Sequence, residues 1–231
     1  MGVTVRVGEQ DAYLARVGRA GMLMLPMITG IGQQIRDWAD ELAGEGITAL
    51  VWDPFKGRST DNSTHDELAD VLLEMDDDAA LAEQTELLDY LLGELGCSKV
   101  GVMGWCLGGR FALLLGARDH RPANVVAFHP TVPSKLAPQH TYDAIGEAGA
   151  ITAPVMVSYP GADTLVPNAD FEALQTALQA RSTGATFAHY FPGADHGFSD
   201  RSRHNKPANA DAFHLAWPQA LAFMKTTTAA H

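Results

Sequence analysis

Lys99-Val100-Gly101-Val102-Met103-Gly104-Trp105-Cys106-Leu107-Gly108-Gly109-Arg110-Phe111-Ala112 begins as a β-rich apolar run, breaks at a Gly-x-Cys-x-Gly-Gly turn and continues as an apolar helix. A sharp strand-to-helix turn of this kind projects its central side chain alone above the sheet edge. Gly104 and Gly108 stand two positions either side of Cys106, where a side chain crowds the turn. A thiol is nucleophilic only as thiolate, and the N-terminus of the helix that follows is one device that lowers its pKa. The plain alternative is a buried structural cysteine beside a tight turn, the usual state of a free thiol.

Outward from that turn, Met22–Leu25 and Ile47–Trp52 read as strands buried on both faces, and Asn124–His129, Val155–Tyr159 and Thr186–Phe191 as further strands. Val3–Val7 alternates, and with Ala12–Val17 it reads as an antiparallel hairpin at a sheet edge. Ile35, Trp38, Ala39 and Leu42 make one face of a helix over Gln33–Gly44. The capping box Thr64-x-x-Glu67 opens a helix to about Met75, and the acid run Asp76-Asp77-Asp78 opens another to about Leu95. That run suits a helix N-terminus better than a metal site. Thr131–His140 reads as a loop, Tyr142–Glu147 as a short helix, Asp170–Ala180 and Ala208–Lys225 as longer ones. Strands alternating with helices after a hairpin imply the α/β class, with a mainly parallel sheet covered on both faces. Without a repeat, a low-complexity segment or a linker, residues 1–231 read as a single domain.

The charge balance, 16 Lys and Arg against 28 Asp and Glu for a net −12, lacks the basic footprint of a nucleic-acid binder. Cys97 and Cys106 flank an extended strand that holds them too far apart for a disulfide, and unpaired thiols point to a reducing compartment. The N-terminus lacks a signal-like segment and a myristoylation pattern, and no run approaches the roughly 18 apolar residues of a membrane span. The expectation is a cytoplasmic protein with no membrane partner, a monomer or a small homo-oligomer. His65, His120, His129, His140, His189, His204, His214 and His231 show no metal-ligand spacing, and no Gly-x-Gly-x-x-Gly follows a strand. No metal and no cofactor are expected.

Acyl-transfer sites on such sheets follow the chain order nucleophile, acid, histidine, each at the carboxyl end of a strand. After Cys106, the strand Val155–Tyr159 ends in Tyr-Pro-Gly-Ala-Asp and delivers Asp163, while Thr186–Phe191 ends in Pro-Gly-Ala-Asp-His and delivers His196. His196 would take the thiol proton and later give it to the leaving group, with Asp163 accepting from its other ring N–H. Asp195 is the rival acid, less able to reach the ring from the adjacent position. The oxyanion needs N–H donors, for which the expectation is Leu107, next after the nucleophile, and Ile28, in the loop after an early central strand. His129 ends a strand before Pro130 and is a candidate pocket residue, whereas His189 reads as structural.

With these residues in hand the chain resembles the dienelactone hydrolase family, which is carboxymethylenebutenolidase-like. The likeness rests on Gly-Trp-Cys-Leu-Gly-Gly at 104–109, Tyr-Pro-Gly-Ala-Asp at 159–163 and Tyr-Phe-Pro-Gly-Ala-Asp-His-Gly-Phe at 190–198, and covers nearly the whole length. It implies an α/β-hydrolase fold without a large cap, a Cys106-Asp163-His196 triad, no cofactor, and hydrolysis of a small or cyclic ester through an acyl-cysteine. Met27, Trp105, His129, Phe198 and Arg201 are the candidate substrate-pocket residues. The chain departs from the family's pattern twice. Met27 stands where well-studied members carry a glutamate that holds the resting cysteine's proton, and Asp66 and Asp200 stand near the places of their substrate-binding arginines. Arg201, Arg203 and Arg110 are the substitutes to consider. The other readings are a non-catalytic or redox-sensing thiol relative, and an acyltransferase or thioesterase.

Overall fold

The computed structural model describes residues 1–229, so His231 lies outside the described residues. In chain order it shows β1 (Val3–Val7), β2 (Gln10–Ala15), β3 (Ala20–Leu25), α1 (Gln33–Gly44), β4 (Ile47–Trp52), α2 (His65–Leu73), α3 (Asp77–Leu92) and β5 (Lys99–Trp105). Then follow α4 (Leu107–Arg118), β6 (Val125–Phe128), α5 (Ala144–Glu147), β7 (Val155–Pro160), α6 (Asn168–Gln179), β8 (Thr186–Phe191) and α7 (Pro207–Thr228). Among the described residues the strands form an eight-stranded sheet in the order β1-β2-β4-β3-β5-β6-β7-β8. The β1–β2 and β2–β4 pairs are antiparallel and every other pair is parallel. The sheet and its N-terminal edge hairpin therefore agree with the sequence reading.

Side chains two apart on a strand share a face, and on the central strands both faces are apolar. Leu23 and Leu25 of β3 pack with Val100 and Val102 of β5 beneath α3, α4 and α6. Met22 and Met24 pack with Met103 and Trp105 on the opposite face, beneath α1 and α7. Trp38 of α1 stacks on Trp105 at 4.7 Å between ring centroids, with Trp217 of α7 at 5.5 Å from Trp38. Cys97, just before β5, is buried beneath this sheet, and burial pushes its thiol above the usual range.

Element ends differ from the sequence reading where local chemistry decides them. Val7 pairs with Gln10 across Gly8 and Glu9, and Gly8 at φ 54° supplies the tight turn, so β2 starts earlier than Ala12. Asp76 accepts from the Ala79 N–H at 2.8 Å and starts α3, after α2 has ended at Leu73. Pro207 fits the first turn of α7, where no N–H is needed. β6 stops at Phe128 because His129 takes φ 34°, a left-handed value that a strand does not accept. No described helix is long and apolar enough to cross a membrane.

Candidate active site

The chain runs from β3 to β4 on one side and then to β5 on the other, so α1 and α4 leave to opposite faces and open a crevice at the carboxyl ends of β3 and β5. Cys106 sits there, between β5 and α4, at φ 52° and ψ −113°. A non-glycine residue in such a conformation stores about 1–3 kcal/mol of strain, held by its surroundings. Two glycines permit it. A Cβ on Gly104 would run into the Gly108 carbonyl, and one on Gly108 into the Leu25 carbonyl of β3. The first turn of α4 thus lies directly against the β3 exit. The Cys106 N–H donates to the Phe128 carbonyl at 3.0 Å, and the Thr131 N–H donates to the Cys106 carbonyl at 3.0 Å.

The loops after β7 and β8 bring the polar partners. His196 Nε2 lies 3.1 Å from Cys106 Sγ, and His196 Nδ1 lies 2.8 Å from Asp163 Oδ2. Asp163 is fixed by its own turn: Oδ1 accepts from the Leu165 N–H at 2.7 Å and the Val166 N–H at 3.0 Å. Asp195 is held instead by Lys206 Nζ at 2.6 Å. Gly197, at φ 74°, lets the chain turn immediately after His196.

Charge on the pair follows from these contacts. Burial lowers the His196 pKa, but the hydrogen bonds and negative charges of Asp163 and Cys106 outweigh burial and push it up to about 10. Burial likewise pushes the Cys106 thiol up, and the hydrogen bond and charge of His196, then Thr131 and the Leu107 N–H, bring it below the ordinary thiol range. The two shifts belong to one coupled system, in which each group favours the charged form of the other. Behind it His129 is fully buried, its Nε2 2.6 Å from Ser199 Oγ and its ring 5.2 Å from that of His196. Burial, with the nearby charges of His196 and Arg203, keeps the His129 pKa well below the usual value, so it stays neutral.

The family model described as the dienelactone hydrolase family matches residues 10–228. The chain belongs to the dienelactone hydrolase family. It is a carboxylic ester hydrolase of that family. A Salmonella typhi protein named "Putative carboxymethylenebutenolidase" is 26% identical over 203 residues, 83% of this chain and 74% of the relative. The fold is shared with a crystal structure of a "Putative Dienelactone Hydrolase" from Klebsiella pneumoniae subsp. pneumoniae, at TM-score 0.81 and 20% identity over 97% of this chain and 98% of that one. A dienelactone hydrolase-like promiscuous phosphotriesterase from metagenomic libraries superposes at TM-score 0.76, with 21% identity over 98% and 97% of the two chains.

Within this dienelactone hydrolase-family fold, the structure brings Cys106, Asp163 and His196 together, with Leu107 and Ile28 at the exits of the two strands that frame the crevice. The pocket residues expected from sequence need correction. Trp105 points from β5 into the α1–α7 face, stacked between Trp38 and Phe128, because the strand alternation that exposes Cys106 turns its neighbour inward. Phe198 is fully buried against Phe128, His129 and Phe191, and Met27 is buried in the same apolar cluster. His129 backs His196 rather than facing solvent. Arg201 reaches Asp37 of α1 at 2.6 Å and lies 6.0 Å above the Trp38 ring, so its charge is already matched. Arg110 is buried in a bidentate pair with Asp77, both contacts 2.7 Å, and donates to the Tyr142 carbonyl at 2.7 Å. Of the three candidate arginines, Arg203 alone bears no ion pair among the described residues, and it lies beside Gly197.

Two features escaped the sequence. Thr131 Oγ1 lies 3.1 Å from Cys106 Sγ, although the sequence marks it only as the start of a loop. The available signal was its place, three residues past the end of the strand that neighbours β5. The sequence marks Asp77 only as a helix N-terminal acid, whereas its carboxylate also accepts from the N–H groups of Thr141 and Tyr142, tying the 131–143 loop to α3 and α4.

Proposed function

We propose that this chain hydrolyses a small carboxylic ester or lactone through an acyl-cysteine on Cys106, with His196 as acid and base and Asp163 as the group that orients and charges the imidazole. The contact chain Sγ–Nε2 at 3.1 Å and Nδ1–Oδ2 at 2.8 Å, at the carboxyl ends of β5, β8 and β7, carries the reading. The Cys106 thiolate attacks the ester carbonyl carbon, forming the C–S bond and moving the carbonyl electron pair onto oxygen. The N–H groups of Leu107 and Ile28 donate hydrogen bonds to that oxyanion; the Ile28 N–H makes no backbone hydrogen bond among the described residues. Collapse breaks the C–O bond, and the leaving alkoxide takes the Nε2 proton from His196. His196, now neutral, removes a proton from water as it attacks the thioester. Collapse releases the acid and returns the thiolate beside the imidazolium. A lactone follows the same path, with the alcohol remaining tethered to the acyl group.

p-Nitrophenyl acetate tests this. The wild type is expected to give a burst of nitrophenolate equal to the protein concentration and an acetyl adduct on Cys106 by mass spectrometry. Cys106→Ala is expected to lose both, with turnover falling at least about 10³-fold. Full activity in Cys106→Ala refutes the acyl-cysteine.

A further inference from the structure

Two side-chain polar atoms touch the Cys106 sulfur, His196 Nε2 and Thr131 Oγ1, each at 3.1 Å. Thr131 is brought there by a break in the neighbouring strand. His129 leaves β6 at φ 34°, and the hydrogen bonds Cys106 N–H to Phe128 carbonyl and Thr131 N–H to Cys106 carbonyl straddle that break, both at 3.0 Å. The backbone of the nucleophile is therefore sewn to the β6 exit on either side, and the Thr131 hydroxyl has little freedom to leave. Among the described residues it makes no hydrogen bond except to the sulfur.

From the β3 exit comes Met27, which neither gives nor takes a proton. The Leu107 N–H, at the start of α4, helps lower the thiol's pKa. Asp163 lies beyond the imidazole, bonded to Nδ1; His129 is neutral and bonded to Ser199; Arg203 is beside Gly197, across the histidine loop. A hydroxyl beside a neutral thiol can donate or accept, but beside a thiolate it can only donate.

We propose that Thr131 is a hydroxyl donor to the reacting sulfur, holding the resting Cys106 as an aimed thiolate and releasing it when the sulfur is acylated. The proposal rests on the acyl-cysteine reading and adds a residue to it. No proton changes owner in this step: the O–H stays on Thr131. The sulfur electron pair that accepts the hydrogen bond becomes the C–S bond, and the hydroxyl is then free for another acceptor until deacylation restores the thiolate.

Thr131→Val keeps the shape and removes the hydroxyl, while Thr131→Ser keeps the hydroxyl and removes a methyl. Alkylation of Cys106 by iodoacetamide, followed by mass spectrometry from about pH 4 to about pH 10, reads the thiolate directly. The inflection is expected to rise by about one unit in Thr131→Val, as for a lost hydrogen bond to a charged group, and to return to near wild type in Thr131→Ser. kcat/KM on p-nitrophenyl acetate is expected to fall roughly tenfold below the wild-type inflection and to converge on wild type above the variant's own. Thr131→Ala serves in place of the valine variant should that one fail to fold. An unmoved inflection in Thr131→Val or Thr131→Ala, or a rise that serine does not reverse, overturns the proposal. If wild-type Cys106 titrates as an ordinary thiol and Cys106→Ala still turns over ester, the acyl-cysteine reading falls and Thr131 with it. If wild type is depressed and Cys106→Ala is dead while Thr131→Val is unmoved, Thr131 alone falls.

Discussion

Asp163 gives one carboxylate oxygen to its own turn and the other to His196, an arrangement that fixes both the position and the charge of the imidazole. The consequence is a pH range. Because the folded His196 pKa is raised above the ordinary ~6.5, its proton is fully present at neutrality and is lost only as pH rises through about 10. On the proposed acyl-cysteine route the acid needed by the leaving group is thus available across that interval, and the acidic limb of activity is set by formation of the Cys106 thiolate. Asp163→Asn removes the negative partner, so the alkaline limb of kcat/KM is expected to move down toward neutrality, with the plateau lower by about 10²–10⁴-fold. A pH–rate profile that keeps its alkaline limb in this variant contradicts the assignment. At this scale the sequence was most informative about Cys106, Asp163 and His196, because chain order and strand ends are one-dimensional facts. It was silent on Thr131, whose place depends on which strand lies next to β5. It misled on Trp105 and Phe198, because adjacency to a site residue in sequence does not decide which face of the sheet a side chain takes.

Helix α4 does more than follow Cys106 out of the β5 turn. Its first turn carries Arg110, whose guanidinium is buried against Asp77 of α3 and also holds the Tyr142 carbonyl. Burial raises the Asp77 pKa, and the hydrogen bonds and charge of Arg110 with the Thr141 and Tyr142 N–H groups more than reverse it. Breaking such a pair on one side leaves the other charge buried and alone. Arg110→Met is expected to cost about 3–5 kcal/mol by urea denaturation, and the Asp77→Asn, Arg110→Met double variant less than the sum of the single ones. Equal and additive costs would show that the pair does not act as a unit. The acid run Asp76-Asp77-Asp78 announced a helix start correctly, and Asp76 caps it. What the run did not disclose was its partner, because Arg110 stands 33 residues away and the encounter depends on how α3 and α4 cross the same face of the sheet.

For the whole molecule, the strand alternation joins the two apolar faces at every central strand, so neither face can open without disturbing the sheet between them. We propose that the chain behaves as one domain. Trp38, Trp105 and Trp217 lie on one face and Trp52 on the other, its indole N–H donating to Glu83 at 2.8 Å. Unfolding in urea followed by tryptophan fluorescence and by far-ultraviolet circular dichroism is expected to give one coincident transition; two separated midpoints would divide the chain. The class of fold was legible because buried parallel strands are written as continuous apolar runs. The strand order was not, beyond the edge hairpin, because crossovers leave no mark on composition. One further property comes from Cys97, which lies 5% exposed while Cys106 is half-buried in its crevice. The protein carries two clocks in the same chemistry. An alkylating reagent strikes Cys106 at a rate governed by the protonation of the site, and strikes Cys97 only in molecules that have opened. The ratio of singly to doubly marked chains therefore counts transient unfolding under conditions where every spectroscopic signal is still native.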